Sequence, residues 1–333
     1  MTTKLIRELT NFTTMKKQII FLSTFILTIS MTFVACGGSD DDAVSTPPVV
    51  ETATQTILAV QQSGSGISGN TNKNQTGNEK LDTRYEVPRI IGGNDYYSII
   101  CEVPTYGVNY IIEWNKTKRA QRWTAYQLYS GNSGSNWNRN NWYQTEWGGD
   151  PFQPDPNMPA ECRIELSDYR GSGYTRGHMI PSADRLNSKE ANEQTFFLSN
   201  MHPQKYAING APGVWGEMEN FLRNKWNTRD FRDVLYVIKG GTIQDGQIKE
   251  WVSNGRLLVP QYFFMACVCK KGNAYKGIAF WCNHDQPSAT VKSCIISIDE
   301  LETKTGIDFY CNLPDDVENQ VENTVDKTFW KVN

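Results

Sequence analysis

The sequence predicts an α+β domain in which a largely antiparallel central sheet is flanked by helices. Strand-like runs follow one another along the chain, whereas stretches with helical periodicity are few and short. Runs of strands with helices inserted between them are typical of mixed layers of helix and antiparallel sheet. Hydrophobic residues make up 39% and aromatic residues 12% of the 333 positions, so the chain can bury a core. We expect a single domain over residues 84–333.

Six predicted strands supply the sheet. Each is a run of apolar, aromatic or β-branched residues bounded by glycine or by polar turn residues. The runs are Tyr97–Val103, Asn109–Trp114, Trp123–Tyr129, Val234–Lys239, Tyr262–Lys270 and Tyr275–Trp281.

Three predicted helices flank the sheet. The first is a short stretch, Ser188–Gln194. The second covers Trp215–Trp226, where large apolar residues recur at spacings of three and four and so share one helical face. The third is Ser297–Thr305, with Ser297 as its N-cap and Gly306 as its end.

The charge of the chain limits what it can bind. Lys and Arg number 33 and Asp and Glu 36, which gives a formal net charge of −3. A protein with this balance does not carry a uniformly basic surface for nucleic acid. Any site for a polyanion must therefore be a local cluster of basic residues.

The first residues have the pattern of an export signal. The pair Lys16-Lys17 precedes an apolar stretch, Ile19–Val34, which ends at small residues, as in a signal peptide. Ser and Thr residues, among them Ser23, Thr24, Thr28 and Ser30, interrupt the stretch and weaken it as a permanent anchor, although an uncleaved signal anchor stays an alternative. Met15 is a candidate for the true start, because a Lys pair directly after Met is the usual arrangement.

The end of this stretch, Phe33–Cys36, resembles the lipobox of bacterial lipoproteins, in which the cysteine is lipidated and becomes the first residue of the mature chain. The resemblance implies a lipoprotein signal peptide over residues 1–35 and lipidation at Cys36. The protein would then lie on the outer membrane or the cell surface, with the periplasmic face as an alternative. Its contact with the membrane would be through that lipid only.

Residues 36–83 are predicted to form a flexible tether. They are rich in Ser, Thr, Gly, Asn and Gln, a composition that cannot bury a core. The acidic run Asp40–Asp42 resembles the surface-export signal of some Gram-negative lipoproteins, and a solvated spacer explains it equally well.

The cysteines after Cys36 and two of the three histidines are not predicted to carry the chemistry. Seven cysteines follow Cys36, and an odd number leaves at least one thiol free or bonded between chains. Cys267 and Cys269 face the same side of an apolar strand, and no second Cys or His pair stands at a zinc-site spacing. We therefore expect core residues or disulfides rather than metal ligands. His202 is predicted to be structural, and His284, in a polar turn, to be exposed.

The third histidine, His178, has the most informative surroundings. It ends the stretch Thr175–His178, which reads Thr-Arg-Gly-His. Leu198–Gln204, Asn209 and the predicted helix with Trp215–Glu219 follow. A single Arg-Gly-His triplet is weak support for catalysis, whereas the order and spacing of all these pieces are specific.

Together the motifs resemble the DNA/RNA non-specific endonuclease family, which includes endonuclease-G-like enzymes with a ββα-metal site. The family pattern is Asp-Arg-Gly-His, then Leu-Ser-Asn-hydrophobic-x-Pro-Gln, then a metal-binding Asn, then Trp-x-x-Leu-Glu. Arg122–Tyr126 resembles its early Trp-x-Ala-Tyr strand, and Asp299–Phe309 resembles its closing helix and turn. The resemblance covers about residues 120–315 and implies the ββα-metal nuclease fold.

The resemblance implies that His178 is the general base, that Asn209 binds a metal ion, and that Glu219 acts on this ion through water. A neutral imidazole can take a proton from water near physiological pH. An amide oxygen suits Mg²⁺, which prefers oxygen ligands and keeps several waters. We therefore expect Mg²⁺ as the cofactor, with other divalent cations as alternatives.

Three arginines are implied to hold the substrate. Arg223 and Arg139 match phosphate-clamping positions of the family, and a guanidinium can fork across two phosphate oxygens. Arg176 either binds phosphate or braces the motif. The residues also allow simpler explanations, which are a helical ion pair for Glu219 and Arg223 and a solvated loop charge for Arg139.

Two departures from the family pattern bear on activity. Thr175 stands where the family has Asp, so the role of that carboxylate in orienting the site is open. The stretch Asn209–Trp215 is about two residues longer than in the family pattern, which leaves a choice between Glu219 and Glu217. The distance from the tryptophan favours Glu219.

The sequence thus predicts a Mg²⁺-dependent endonuclease that cuts DNA and RNA with little sequence preference, because it binds the phosphate backbone rather than the bases. A nucleic-acid-binding lipoprotein impaired by the change at Thr175 is one alternative. A phosphodiesterase for small nucleotides is another, and a closed pocket would favour it. The preference between DNA and RNA, the disulfide pairing and the oligomeric state stay open.

Overall fold

The computed structural model describes residues 52–64, 66–144, 149–210 and 212–332. The predicted signal peptide, the predicted lipidation site Cys36 and the tether up to residue 51 lie outside the described residues. In the described part of the chain, no helix is both long and apolar enough to cross a membrane.

A large antiparallel sheet organises the fold. The described residues form the strands β1 (Thr54–Leu58), β2 (Tyr96–Val103), β3 (Gly107–Asn115), β4 (Ala120–Tyr129), β5 (Thr175–His178), β6 (Met201–Gln204), β7 (Val234–Gly241), β8 (Ile248–Val252), β9 (Leu257–Pro260), β10 (Tyr262–Lys271), β11 (Ala274–Asn283) and β12 (Ile295–Ile296). Eight of them hydrogen-bond in the order β1-β2-β3-β4-β7-β10-β11-β12, with every pairing antiparallel. The antiparallel pairs β5-β6 and β8-β9 lie outside this sheet.

The predicted fold class and all six predicted strands are confirmed. The six runs are β2, β3, β4, β7, β10 and β11, and their observed ends lie within three residues of the predicted ones. These strands could be predicted because burial on one face gives a strand alternating apolar residues, and burial on both faces gives it a continuous apolar run. Both patterns are visible in a few neighbouring positions of the sequence.

The predicted tether, residues 36–83, is wrong in its C-terminal part. Thr54–Leu58 forms β1 and adds an edge strand to the sheet beside β2. Farther along, Asn74 is only 1% exposed, and its amide donates a 3.0 Å hydrogen bond to the carbonyl oxygen of Pro88. Hydrogen bonds from polar side chains to backbone groups hold this segment in place. Its polar composition therefore gave no indication that the segment is folded. The folded domain therefore begins well before residue 84.

The two faces of the sheet carry separate cores. Successive side chains of a strand point to opposite faces, and β10 shows this alternation. Phe263 and Met265 belong to the core on one face, which we call the first face. Phe264 and Ala266 belong to the core on the other, the second face.

Short helices cover both faces. The described α-helices are α1 (Glu79–Asp82), α2 (Leu166–Tyr169), α3 (Lys189–Gln194), α4 (Tyr206–Asn209), α5 (Val214–Phe221), α6 (Ile298–Thr305) and α7 (Asp315–Glu322). After α5 the chain continues into a π-helical turn, Leu222–Trp226. The buried residues of α5 and this turn pack on the first face. Those of α6 and α7 pack on the second.

The three predicted helices are present as α3, α5 with its π turn, and α6. Ser188 caps α3, since its hydroxyl accepts a hydrogen bond from the Ala191 amide. Ser297 caps α6 in the same way through the Glu300 amide. Gly306 ends α6 with φ 63°, a left-handed conformation that glycine adopts without steric cost.

The seven cysteines after Cys36 are buried free thiols and form no disulfide. This confirms the expectation that they are core residues. Cys267 and Cys269 both belong to the core of the first face, as their alternate positions on one strand predict. The cysteines are Cys101, Cys162, Cys267, Cys269, Cys282, Cys294 and Cys311.

Candidate active site

The motif residues lie on a strand pair and the helices that follow it. β5 pairs with β6 in antiparallel register, from Thr175 opposite Gln204 to His178 opposite Met201. Gly177 allows this close approach, because a Cβ at that position would lie 2.1 Å from the Gln204 side-chain oxygen. The motif thus requires glycine for packing, and the two strands with α5 form a ββα unit on the first face.

His178 ends β5, and its imidazole packs against two aromatic rings that also contact each other. The ring centroids of Phe152 and Phe196 lie 5.3 and 5.5 Å from that of His178. Its Nε2 is buried and has no hydrogen-bond partner among the described residues. Burial, together with the positive charges of Arg139 and Lys239, lowers the pKa of His178 to about 3. The imidazole is therefore neutral, with one ring nitrogen free for a proton or a water molecule.

Asn209 ends α4 and is tied to the start of β5. Its amide nitrogen donates a 3.0 Å hydrogen bond to the hydroxyl of Thr175. That hydroxyl in turn donates to the carbonyl oxygen of Gln204 at 2.8 Å. The amide oxygen of Asn209 accepts no hydrogen bond among the described residues, so it is available as a ligand. Thr175 therefore orients Asn209 in spite of its departure from the family motif.

These contacts place His178 and Asn209 on one small structural unit. Thr175, which holds Asn209, and His178 are the two ends of the same four-residue strand. An amide oxygen with a free lone pair, held by its own nitrogen, fits a hard divalent cation. The residues present are therefore compatible with a metal ion at the amide oxygen of Asn209.

Glu219 lies on α5, and its partner is a buried lysine that the sequence analysis did not identify. The ammonium of Lys239 lies 3.1 Å from a carboxylate oxygen of Glu219. It also lies 5.3 Å from the centroid of the Trp215 ring. Burial raises the pKa of Glu219, and the charge of Lys239 opposes this rise. The alternative expectation of an ion pair with Arg223 is wrong, because both residues have other partners.

Lys239 could have been found from its position in β7. Leu235, Val237 and Lys239 are alternate residues and share one face of that strand. The first two belong to the core of the first face, and Lys239 is fully buried in the same row. A charge in a buried apolar row is rare without a partner, which is the signal that the sequence contains.

Arg223 and Arg139 meet at the same turn after the motif histidine. Arg223 lies in the π turn, and its Nε is 2.6 Å from the carboxylate of Asp184, which is buried. Arg139 is exposed and donates a 2.7 Å hydrogen bond to the hydroxyl of Ser182. Both contacts are to the short turn Ser182–Asp184, so the structure brings together two of the arginines that the sequence predicts.

Arg176 lies on the other side of Phe152 from His178. Its guanidinium is 3.9 Å from the centroid of the Phe152 ring and is paired with Asp150 at 2.8 Å. Arg176 lines an open groove of about 530 Å³, together with Tyr174 and the exposed Arg170. The sequence analysis did not identify Arg170. The charge of Arg176 also contributes to the lowered pKa of His178.

The other two histidines are buried outside this cluster. His202 is 1% exposed, as expected for a structural residue. The prediction that His284 is exposed is wrong, because it is fully buried. Its Nε2 accepts the backbone amide of Lys205 at 2.9 Å, and its Nδ1 lies 2.7 Å from the Pro260 carbonyl oxygen. His284 therefore fixes the segment between β6 and α4.

Comparisons with known proteins identify the family of the chain. A nuclease from Nostoc sp. is 31% identical over 228 residues, which are 65% of this chain and 76% of the relative. Nuclease C1 from Cunninghamella echinulata is 30% identical over 62% of this chain and 81% of its own length. A solved EndoG chain, from a complex with EndoGI, shares the fold with a TM-score of 0.51 and 20% identity, over 61% of this chain and 84% of that one. The family model for DNA/RNA non-specific endonuclease matches residues 98–316. The chain therefore belongs to the DNA/RNA non-specific endonuclease family, whose members are hydrolases that cut nucleic acids.

Proposed function

We propose that the protein is a Mg²⁺-dependent endonuclease that hydrolyses DNA and RNA with little sequence preference, with His178 as the general base. The observation that carries the proposal is the arrangement around β5, which ends at a neutral imidazole with an unpartnered Nε2 and begins at Thr175, whose hydroxyl anchors the amide of Asn209. Hydrolysis of an anionic diester needs a deprotonated water and a site that balances negative charge.

His178 supplies the base. Its Nε2 accepts a proton from the attacking water, which then adds to the phosphorus atom and expels the 3′ oxygen, leaving a 5′-phosphate. The aromatic rings of Phe152 and Phe196 hold the imidazole at this position. The low pKa keeps it unprotonated before the substrate binds.

Asn209, with Glu219 acting through water, would hold the cation. When bound, Mg²⁺ supplies positive charge that stabilises the transition state and the leaving oxygen. Lys239 opposes the rise in the pKa of Glu219 that burial causes, and its 3.1 Å contact holds the carboxylate in place. Arg223 and Arg139 bind phosphate oxygens beside the reacting group, with Asp184 holding the first of them.

A polymer substrate is favoured over a small nucleotide. The groove beside Arg176 is open and continues past Arg170 and Tyr174. Cations along a groove bind successive phosphates whatever the base sequence, which accounts for low specificity. The impaired binder is the weaker alternative, because Thr175 keeps the hydrogen bond that orients Asn209.

We also propose that the protein is an exported lipoprotein held by a lipid on Cys36, at the outer membrane or the cell surface. The proposal rests on the sequence pattern around Phe33–Cys36. Metabolic labelling with a palmitate analogue tests it. Labelling of the wild type and none of Cys36→Ala would support it, and an unlabelled wild type would refute it.

Digestion of supercoiled plasmid and of RNA tests the nuclease proposal. With Mg²⁺ we expect nicked and then linear plasmid, and with EDTA no cleavage. His178→Ala and Asn209→Ala should lose activity by at least about 100-fold, the scale of a lost general base. Glu219→Gln should also lose activity, whereas Glu217→Gln on the same helix is the matched control and should keep it.

Three outcomes would contradict the proposal. Undiminished cleavage by His178→Ala would remove this residue as the base. Binding of DNA without cleavage under any divalent cation would favour the impaired binder. Hydrolysis of dinucleotides alone, with intact plasmid, would favour the phosphodiesterase.

A further inference from the structure

The last two helices carry a cluster of carboxylates on the second face, away from the candidate active site. Asp299 and Glu302 are three residues apart on α6, so they share one helical face. Glu322 ends α7, which packs beside α6 through buried residues of the same core. Side-chain oxygens of these three residues lie within 4.8 Å of one another.

Glu322 is the unusual member of this cluster. The residue is 7% exposed, and its Oε1 is buried with no hydrogen-bond partner among the described residues. A buried carboxylate oxygen without a donor costs free energy, so this atom needs a ligand, a proton or a cation. Its position beside Asp299 and Glu302 directs it into the cluster.

No positive side chain balances the cluster within the described part of the molecule. Lys304 is the nearest lysine in the sequence of α6, and it pairs with Glu300 instead. Carboxylates this close together, with Glu322 only 7% exposed, repel one another when they are ionised. Either protons or a bound cation must therefore compensate the negative charge.

The carboxylates of Asp308 and Glu318 add to the negative electrostatic potential around the cluster. Asn72 donates to Glu318 at 2.7 Å and to Asp308 at 3.1 Å, which orients both carboxylates. Glu318 is 5% exposed, and its charge acts on Glu322. Ordered carboxylates behind a first layer of ligands are typical of protein cation sites.

We propose that Asp299, Glu302 and Glu322 bind a divalent cation, preferably Ca²⁺, that joins α6 to α7 and is independent of the nuclease reaction. All available ligands are oxygens, which excludes a preference for zinc or copper. Ca²⁺ accepts several carboxylates in irregular geometry, whereas Mg²⁺ requires a near-ideal octahedron and keeps most of its waters. Asp299 is exposed and leaves a route for the ion from solvent.

Calcium binding to the full chain tests the proposal, with Asn209→Ala as the background that removes the expected active-site ligand. Calorimetric titration with CaCl₂ should give one Ca²⁺ per chain in this background. In 1 mM CaCl₂ the unfolding temperature should rise by about 5 °C, as expected for a ligand near 100 times its dissociation constant. Mg²⁺ at the same concentration should give a smaller rise.

Two added substitutions locate the site. Glu322→Gln should abolish both the binding and the temperature shift, and without calcium it should be at least as stable as the background because it removes repulsion. Glu300→Gln on the same helix is the matched control and should change neither. Glu302→Gln provides a second variant should Glu322→Gln fold poorly.

Two results would overturn the proposal. One is the absence of calcium binding in the Asn209→Ala background, which would mean that protons balance the cluster. The other is undiminished binding after Glu322→Gln or Glu302→Gln. Anomalous diffraction from wild-type crystals soaked in Tb³⁺ gives an answer without substitutions, since the ion must lie between α6 and α7.

Discussion

Substitution of Thr175 tests whether the hydroxyl has taken over the orienting task of the motif carboxylate. The side chain makes two hydrogen bonds, from Asn209 at 3.0 Å and to the Gln204 carbonyl at 2.8 Å. Thr175→Val keeps the shape and removes both. A neutral hydrogen bond contributes about 0.5–1.5 kcal/mol, so the loss is about 1–3 kcal/mol. If the lost hydrogen bonds leave the Asn209 side chain free to turn away from the metal site, the affinity for Mg²⁺ drops about 10- to 100-fold. This is the usual effect of losing a residue that holds a metal ligand in place.

The assay is the rate of plasmid nicking as a function of Mg²⁺ concentration. We expect Thr175→Val to shift the half-saturating Mg²⁺ concentration upward by that factor and to approach the wild-type rate at saturation. Thr175→Ser keeps the hydroxyl and should resemble the wild type. Thr175→Asp restores the family residue and should need no more Mg²⁺ than the wild type. A wild-type Mg²⁺ requirement in Thr175→Val would refute the orienting role.

Three further predictions follow from the site and the acidic cluster. Lys239→Met leaves the Glu219 carboxylate without its partner and should destabilise the fold by about 1–3 kcal/mol. The loss should be smaller than for a fully buried ion pair, because the Glu219 side chain is 17% exposed. An unchanged unfolding temperature and nicking rate would contradict this. Because a general base works unprotonated and the pKa of His178 is about 3, the acid limb of kcat/KM should lie well below pH 6.5, and a midpoint near 6.5 would count against it. Burial raises the pKa of Glu302 to about 7 and that of Glu322 to about 10 in the folded protein, so without calcium the stability should fall as the pH rises from about 4.5 to about 10. Glu322→Gln should flatten that fall in denaturant titrations, and parallel curves would contradict the assignment.

Local pattern accounts for most of what the sequence predicts. Strands such as β10 and β7 are readable because their apolar runs are continuous, and Ser297 and Gly306 mark the ends of α6 by their own backbone preferences. Polar segments are harder, as β1 shows. Its order depends on pairing with β2 and on hydrogen bonds to distant residues, such as the one from the Gln194 side chain to the Thr54 carbonyl oxygen, which leave no periodic signal.

The motif around His178 was sufficient to predict the family, and the base and the metal-binding amide that we propose come from the same motif. It did not predict the partners that hold these groups. Lys239 reaches Glu219 only because β7 lies in the sheet beneath α5, and Asp184 reaches Arg223 only because the π turn follows α5. Charge pairs between residues 20 and 39 positions apart are set by strand register and helix packing.

By itself the sequence determined the fold class, the six central strands and the identity of the motif residues, because period, composition and motif spacing are carried by neighbouring positions. The tertiary structure decided how Thr175 holds Asn209 and that the ammonium of Lys239 pairs with Glu219. It also decided that the carboxylates of Asp299, Glu302 and Glu322 lie close together. These contacts join segments far apart in the chain, and electrostatic interaction depends on distance in space and on burial rather than on position in the sequence.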